Sequence, residues 1–79
     1  MTLKIAKRWR WLAMDKSGSW YVFTRKPYIH PIVTGWVETF YEYLQVKPAY
    51  FKLPICKNWR NSLHKRVGEN WVKVNKGER

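Results

Sequence analysis

Apolar and polar positions alternate most regularly between residues 8 and 25. Arg8-Trp9-Arg10-Trp11-Leu12-Ala13-Met14 and Ser19-Trp20-Tyr21-Val22-Phe23-Thr24-Arg25 flank Asp15-Lys16-Ser17-Gly18, the pattern of two strands about a short loop. Asp at the start of a turn bonds the backbone ahead of it, and glycine supplies the positive φ that closes such a loop. A hairpin closed in this way pairs Ala13 with Tyr21 and Trp11 with Phe23. One face then carries Trp9, Trp11, Ala13, Tyr21 and Phe23, and the other Arg8, Arg10, Leu12, Met14, Trp20 and Val22. The first set is the expected core side, because alternation assigns each parity to one face. Leu3 and Ile5 share the parity of Trp9 and Trp11, which extends the strand backwards and groups Lys4 with Arg8 and Arg10.

The remaining pattern is shorter and less uniform. Pro27, Pro31, Pro48 and Pro54 divide the chain into pieces better suited to strands and turns than to long helices. Residues 36–44 fit two periods. Helical spacing groups Trp36, Val37, Phe40, Tyr41 and Leu44, whereas strand alternation groups Val37, Thr39, Tyr41 and Tyr43. A strand there leads through Gln45-Val46-Lys47-Pro48 to a second at residues 49–53. The segment 58–67 reads as a short helix, with Asn58 as N-cap, Trp59 and Leu63 one turn apart, Lys65 and Arg66 in the last turn, and Gly68 as terminator. Trp71, Val72 and Val74 suggest a final edge strand, and residues 76–79 a frayed tail.

Composition narrows the class. Seventy-nine residues make one domain spanning 1–79, with room for one small core. An apolar fraction of 46 % and an aromatic fraction of 18 % argue against disorder. The single Cys56 excludes an internal disulfide, and small secreted domains normally need several. No apolar run is long enough to span a bilayer, and the N-terminus carries no signal-peptide core. The expected compartment is therefore the cytoplasm, with no membrane association.

Catalytic and metal chemistry find little footing. Asp15 is needed by the turn, and Glu38 and Glu42 have no matched acid or histidine beside them. Ser62 and His64 are too close along a helix to face one another. Cys56, His30 and His64 lack a zinc-ligand spacing, and the four glycines form no phosphate loop. The expectation is a protein without enzymatic activity, cofactor or metal.

Charge carries more information. Sixteen Lys and Arg against five Asp and Glu give a net charge of +11. Lys4, Lys7, Arg8 and Arg10 form one cluster and Lys52, Lys57, Arg60, Lys65 and Arg66 a second, whereas residues 28–46 contain no Lys or Arg. Such asymmetry suits a phosphate backbone or an acidic protein surface. Aromatic residues interleave with these bases, as in single-strand binders whose rings stack on bases while cations hold phosphates. The core of so small a domain must also be built from them, and Trp9, Trp11, Phe23, Trp36, Phe40 and Trp59 are assigned there. Trp20, Tyr21, Tyr28, Tyr50 and Trp71 remain as contact candidates.

The residues 11–23, then Lys26-Pro27, Gly35-Trp36 and Asn58-Trp59-Arg60-Asn61-Ser62-Leu63 together resemble a group of small proteins from tailed bacteriophages. Their shared pattern is an Ala-x-Asp-x-x-Gly hairpin, a Lys-Pro step, a Gly-Trp strand and a closing Trp-x-x-Ser-Leu. The resemblance implies a strand from Trp36 onwards, and a phage or prophage accessory protein acting inside a bacterium. The expected fold class is α+β: a small antiparallel β-sheet of three to five strands with one short helix near 58–67. The expected function is binding of DNA, RNA or a nucleoprotein complex through the nine basic residues named above. The alternative is a protein-directed inhibitor or antirepressor that docks its 36–51 aromatic surface, or an exposed sheet edge, on a bacterial defence or regulatory protein, with an acidic bacterial protein as the partner. An exposed sheet edge leaves a homodimer open.

Overall fold

A computed structural model describes residues 5–33, 35–40, 42–47, 53–54 and 56–74. Among these residues seven strands follow in chain order: β1 Trp11–Met14, β2 Trp20–Phe23, β3 Tyr28–Ile29, β4 Trp36–Val37, β5 Tyr43–Val46, β6 His64–Val67 and β7 Asn70–Lys73. Five of them form an antiparallel sheet in the order β5-β2-β1-β6-β7, and β3 pairs with β4 in a separate ribbon. The fold is mostly β, not α+β.

The first hairpin has the expected register, Trp11 opposite Phe23 and Ala13 opposite Tyr21. Its loop is fixed by Asp15, whose Oδ1 accepts from the backbone amides of Ser17 and Ser19 at 3.0 and 3.1 Å. Gly18 adopts φ +92°, where a Cβ would strain the backbone.

Both faces of the sheet are covered, contrary to the expectation of one core side. Leu12, Trp20, Val22, Val46 and Trp71 are buried on one face, with Ile5, Trp9, Leu53 and Cys56 packed over them. Ala13, Phe23, Leu63 and Val74 are buried on the other, with Trp11, Tyr21 and Trp36 around them. Leu12 and Val22, assigned by alternation to the open side, are completely buried. A buried Leu, Val or Phe contributes about 1.5–3 kcal/mol, so neither layer is dispensable in a domain this small. Trp9 joins the Leu12 layer because the chain turns before it, Trp9 N donating to Ala6 O at 3.1 Å. That turn ends the strand that alternation extends back to Ile5, and Leu3 lies outside the described residues.

The helix expected over 58–67 is a correction. Only a 3₁₀ turn, Trp59–Asn61, is present, with the Asn58 side chain accepting from Arg60 N. The chain then extends so that His64 pairs with Leu12 and Lys65 with Trp11. An isolated ten-residue helix is marginal in water, and sheet pairing on both sides of β6 outweighs it. Gly68, at φ +63°, closes the two-residue turn between Val67 and Asn70 rather than capping a helix.

Residues 36–37 and 43–44 are strand, residues 39–40 are turn, and Tyr41 lies outside the described residues. Glu38 interrupts them: its carboxylate accepts from Phe40 N at 3.1 Å and Glu42 N at 3.0 Å, holding a turn. Phe40, expected in the core, is 61 % exposed as a result. The expected second strand at 49–53 falls on residues outside the described set except for Leu53, and the tail 76–79 falls wholly outside it.

Candidate functional site

The basic residues separate into distinct roles. Arg66 is a structural clamp: its guanidinium donates to the carbonyls of Ile5 at 3.0 Å, Ala6 at 2.8 Å, Trp9 at 3.1 Å and Gly68 at 3.1 Å. It also lies 5.5 Å from the centre of the Trp71 ring. Arg8 pairs with Glu42 at 2.8 Å, and Arg25 approaches the same carboxylate at 3.8 Å. Lys7 and Arg10 line a hollow beside Arg66 that also contains Glu69. Lys57 and Lys65 are exposed. Lys4 and Lys52 lie outside the described residues, as does Tyr50.

Two expected contact rings are internal. Trp20 and Trp71 are each only 5 % exposed, a correction that follows from the covered Leu12 face on which both lie. Trp20 stands edge-on to His64, with ring centres 5.9 Å apart. His64 Nδ1 is 2.7 Å from the Ser62 carbonyl. Burial holds the His64 pKa below its ordinary value of 6.5; the Ser62 bond opposes this and the Lys73 charge adds to it. Tyr21 is half-buried and meets Tyr43 edge to face, whereas Tyr28 is half exposed.

Arg60 and Tyr28 converge on a groove of about 840 Å³ between the β3–β4 ribbon and the 3₁₀ turn. Lys26, Trp36, Asn58 and Asn61 also line it. The local sequence makes this convergence. Pro27 is buried and fixes the exit from β2, leaving Lys26 exposed at the rim. The Trp36 indole Nε1–H donates to the Trp59 carbonyl at 3.0 Å, tying the ribbon to the turn that carries Arg60. The Arg60 guanidinium lies 5.1 Å from the Trp59 ring centre. Lys26 Nζ lies 5.9 Å from the ring of Trp11, which pairs with Phe23 on one side and Lys65 on the other.

Sequence reasoning misses Lys26, because it stands outside both basic clusters. The Lys-Pro step is the signal that marks it: proline holds its predecessor extended, and in extended backbone neighbouring side chains face opposite ways, so a buried Pro27 goes with an exposed Lys26. The described residues that line the groove include two cations, an exposed tyrosine and two amides, and none of them is an acid. It can therefore hold phosphate oxygens by charge, stack a flat ring on Tyr28, and donate or accept through Asn58 and Asn61.

No cluster of three or more His, Cys, Asp or Glu side chains suited to a metal ion occurs among the described residues. No helix among them is long and apolar enough to cross a membrane. Comparison with protein-family models, curated proteins and solved structures finds no match.

Proposed function

We propose that the protein is a non-enzymatic binding module that holds a single-stranded stretch of nucleic acid along the groove between the β3–β4 ribbon and the 3₁₀ turn. The observation that carries this reading is that Lys26, Arg60 and exposed Tyr28 line one groove. Phosphates would lie on the two cations, and a base would stack on Tyr28. Trp11, between Lys26 and Lys65, offers a continuation of the path across the sheet. Recognition would be of backbone and base planes more than of sequence. The setting implied by the resemblance, the cytoplasm of a bacterium carrying a phage, belongs to the same proposal.

Fluorescence anisotropy with labelled oligonucleotides over a range of salt tests it. Affinity should fall linearly on logarithmic axes as salt rises, and Lys26→Gln with Arg60→Gln should reduce the slope by about 1.4, at ~0.7 per phosphate contact on a single strand. Tyr28→Ala should cost about 1–3 kcal/mol with the slope unchanged, since it removes a stacked ring and no charge. Binding whose salt slope ignores the double substitution would contradict the groove as the site.

A second reading has its own observation. Ile32, Val33 and Phe40 are 84 %, 52 % and 61 % exposed in the segment free of Lys and Arg, and exposed apolar residues of this kind suit a protein partner. Under that reading Phe40→Ser abolishes partner binding while leaving oligonucleotide affinity unchanged.

A further inference from the structure

Trp36 has a hollow on either side. Besides the basic groove, it lines a cavity of about 320 Å³ whose other walls include Tyr21, Phe23, Tyr43 and the acidic residues Asp15 and Glu38. The two hollows share Trp36 but no charged residue. Among the described residues no Lys or Arg lines this cavity, and both of its charged lining residues are acidic.

The rings are set at different inclinations. Tyr21 and Tyr43 lie 5.7 Å apart between centres at 81°, and Phe23 and Tyr43 lie 6.3 Å apart at 47°. These rings pack edge-on and tilted against one another, and together with Trp36 they give the cavity an aromatic wall, a lining that attracts an organic cation. The carboxylates add fixed negative charge. Glu38 is almost fully buried, and among the described residues its two oxygens accept from the backbone amides of Phe40 and Glu42. Asp15 takes its turn bonds on Oδ1. The ion pairs among the described residues go to Glu42, not to either of these acids. A buried carboxylate without a cationic partner is costly, and a cation entering beside it removes part of that cost.

We infer that this cavity accepts the alkylammonium group of a lysine side chain presented by a partner protein. The rim favours a side chain carried on a polypeptide: Tyr43 and Val33 are 53 % and 52 % exposed there and offer apolar contact to the backbone that bears it. The positive charge elsewhere on the protein opposes approach only over a short range, because at physiological salt it is screened within about 8 Å. This site goes beyond nucleic-acid binding and does not depend on it.

The test is an NMR titration read at the Trp36 indole Nε1–H, whose bond to Trp59 makes it a local probe. The ligands are Nα-acetyl-lysine methylamide and its neutral isostere Nα-acetyl-norleucine methylamide. The lysine compound should give a saturable shift, and the norleucine compound should bind at least about tenfold more weakly. Lys26→Gln should leave lysine binding unchanged, which separates this site from the groove. Glu38→Gln should abolish it. Since Glu38 also holds a turn, Tyr43→Leu is the second variant: it keeps an apolar rim, removes one π face, and should weaken binding about threefold. Equal affinity for lysine and norleucine, no saturation by lysine in the folded protein, or a folded Tyr43→Leu protein that binds lysine as wild type does, would overturn the proposal.

Discussion

Arg66 sits in the basic run with Arg60 and Lys65, but its guanidinium is engaged with four backbone carbonyls that hold residues 5–9 and the β6–β7 turn. Charge-assisted bonds of this kind are worth about 1.5–3 kcal/mol each when isolated, and these are shared and half exposed. Arg66→Lys keeps the charge and loses the fork, so it should lower stability by about 2 kcal/mol in urea unfolding while leaving the salt slope of oligonucleotide binding unchanged. Ser62 is a second residue whose role is structural. It is completely buried, its Oγ accepts from Met14 N at 2.8 Å, and it reaches the Met14 carbonyl at 3.0 Å. Ser62→Ala leaves a β1 amide without its partner and should cost about 1–3 kcal/mol. His64 adds a pH dependence. Its folded pKa lies below 6.5 because burial disfavours the imidazolium, so the unfolded chain takes up a proton first as pH falls. Stability is then full above about pH 6.5 and declines below it. The urea midpoint should fall between pH 7.5 and 5.5, and His64→Gln should flatten that fall.

At the scale of elements, the first hairpin is legible because everything that defines it is local. Asp15 and Gly18 set the loop, and alternation on either side sets the register. Gly18→Ala should destabilise by about 1 kcal/mol or more, since its φ of +92° is one that side-chain-bearing residues rarely adopt, a loss readable as a lower thermal midpoint. Segment 58–67 is misread for the converse reason. Its capping residues are real, and Asn58 does bond Arg60 N, but what decides its course is pairing with Trp11 and Leu12 some fifty residues earlier. No local pattern announces that pairing. Residues 36–44 fail similarly in the middle: Glu38, which looks like a solvated acid, turns inward and binds the backbone of its own loop.

For the whole molecule, alternation also fails to show that both faces of the sheet are covered, because one covering layer is irregular chain that includes Ile5, Trp9, Leu53 and Cys56. Trp20 and Trp71 are internal for that reason. The division of charge is more readily read. The stretch without Lys or Arg supplies Glu38 to the acidic cavity and Glu42 to the pairs with Arg8 and Arg25, while Lys26 and Arg60 meet in the groove across Trp36. Net charge alone would spread nucleic acid over the entire basic surface. The groove makes a narrower claim, that contact is centred on Lys26, Tyr28, Trp36 and residues 58–61. Mapping backbone-amide and indole shifts of the labelled protein during titration with a short single-stranded oligonucleotide tests this most directly. The largest saturable shifts should fall on residues 26–29 and 58–61 and on the Trp36 indole, and shrink as salt rises. Shifts centred on Lys7 and Arg10, or spread evenly over the cations without saturation, would contradict it.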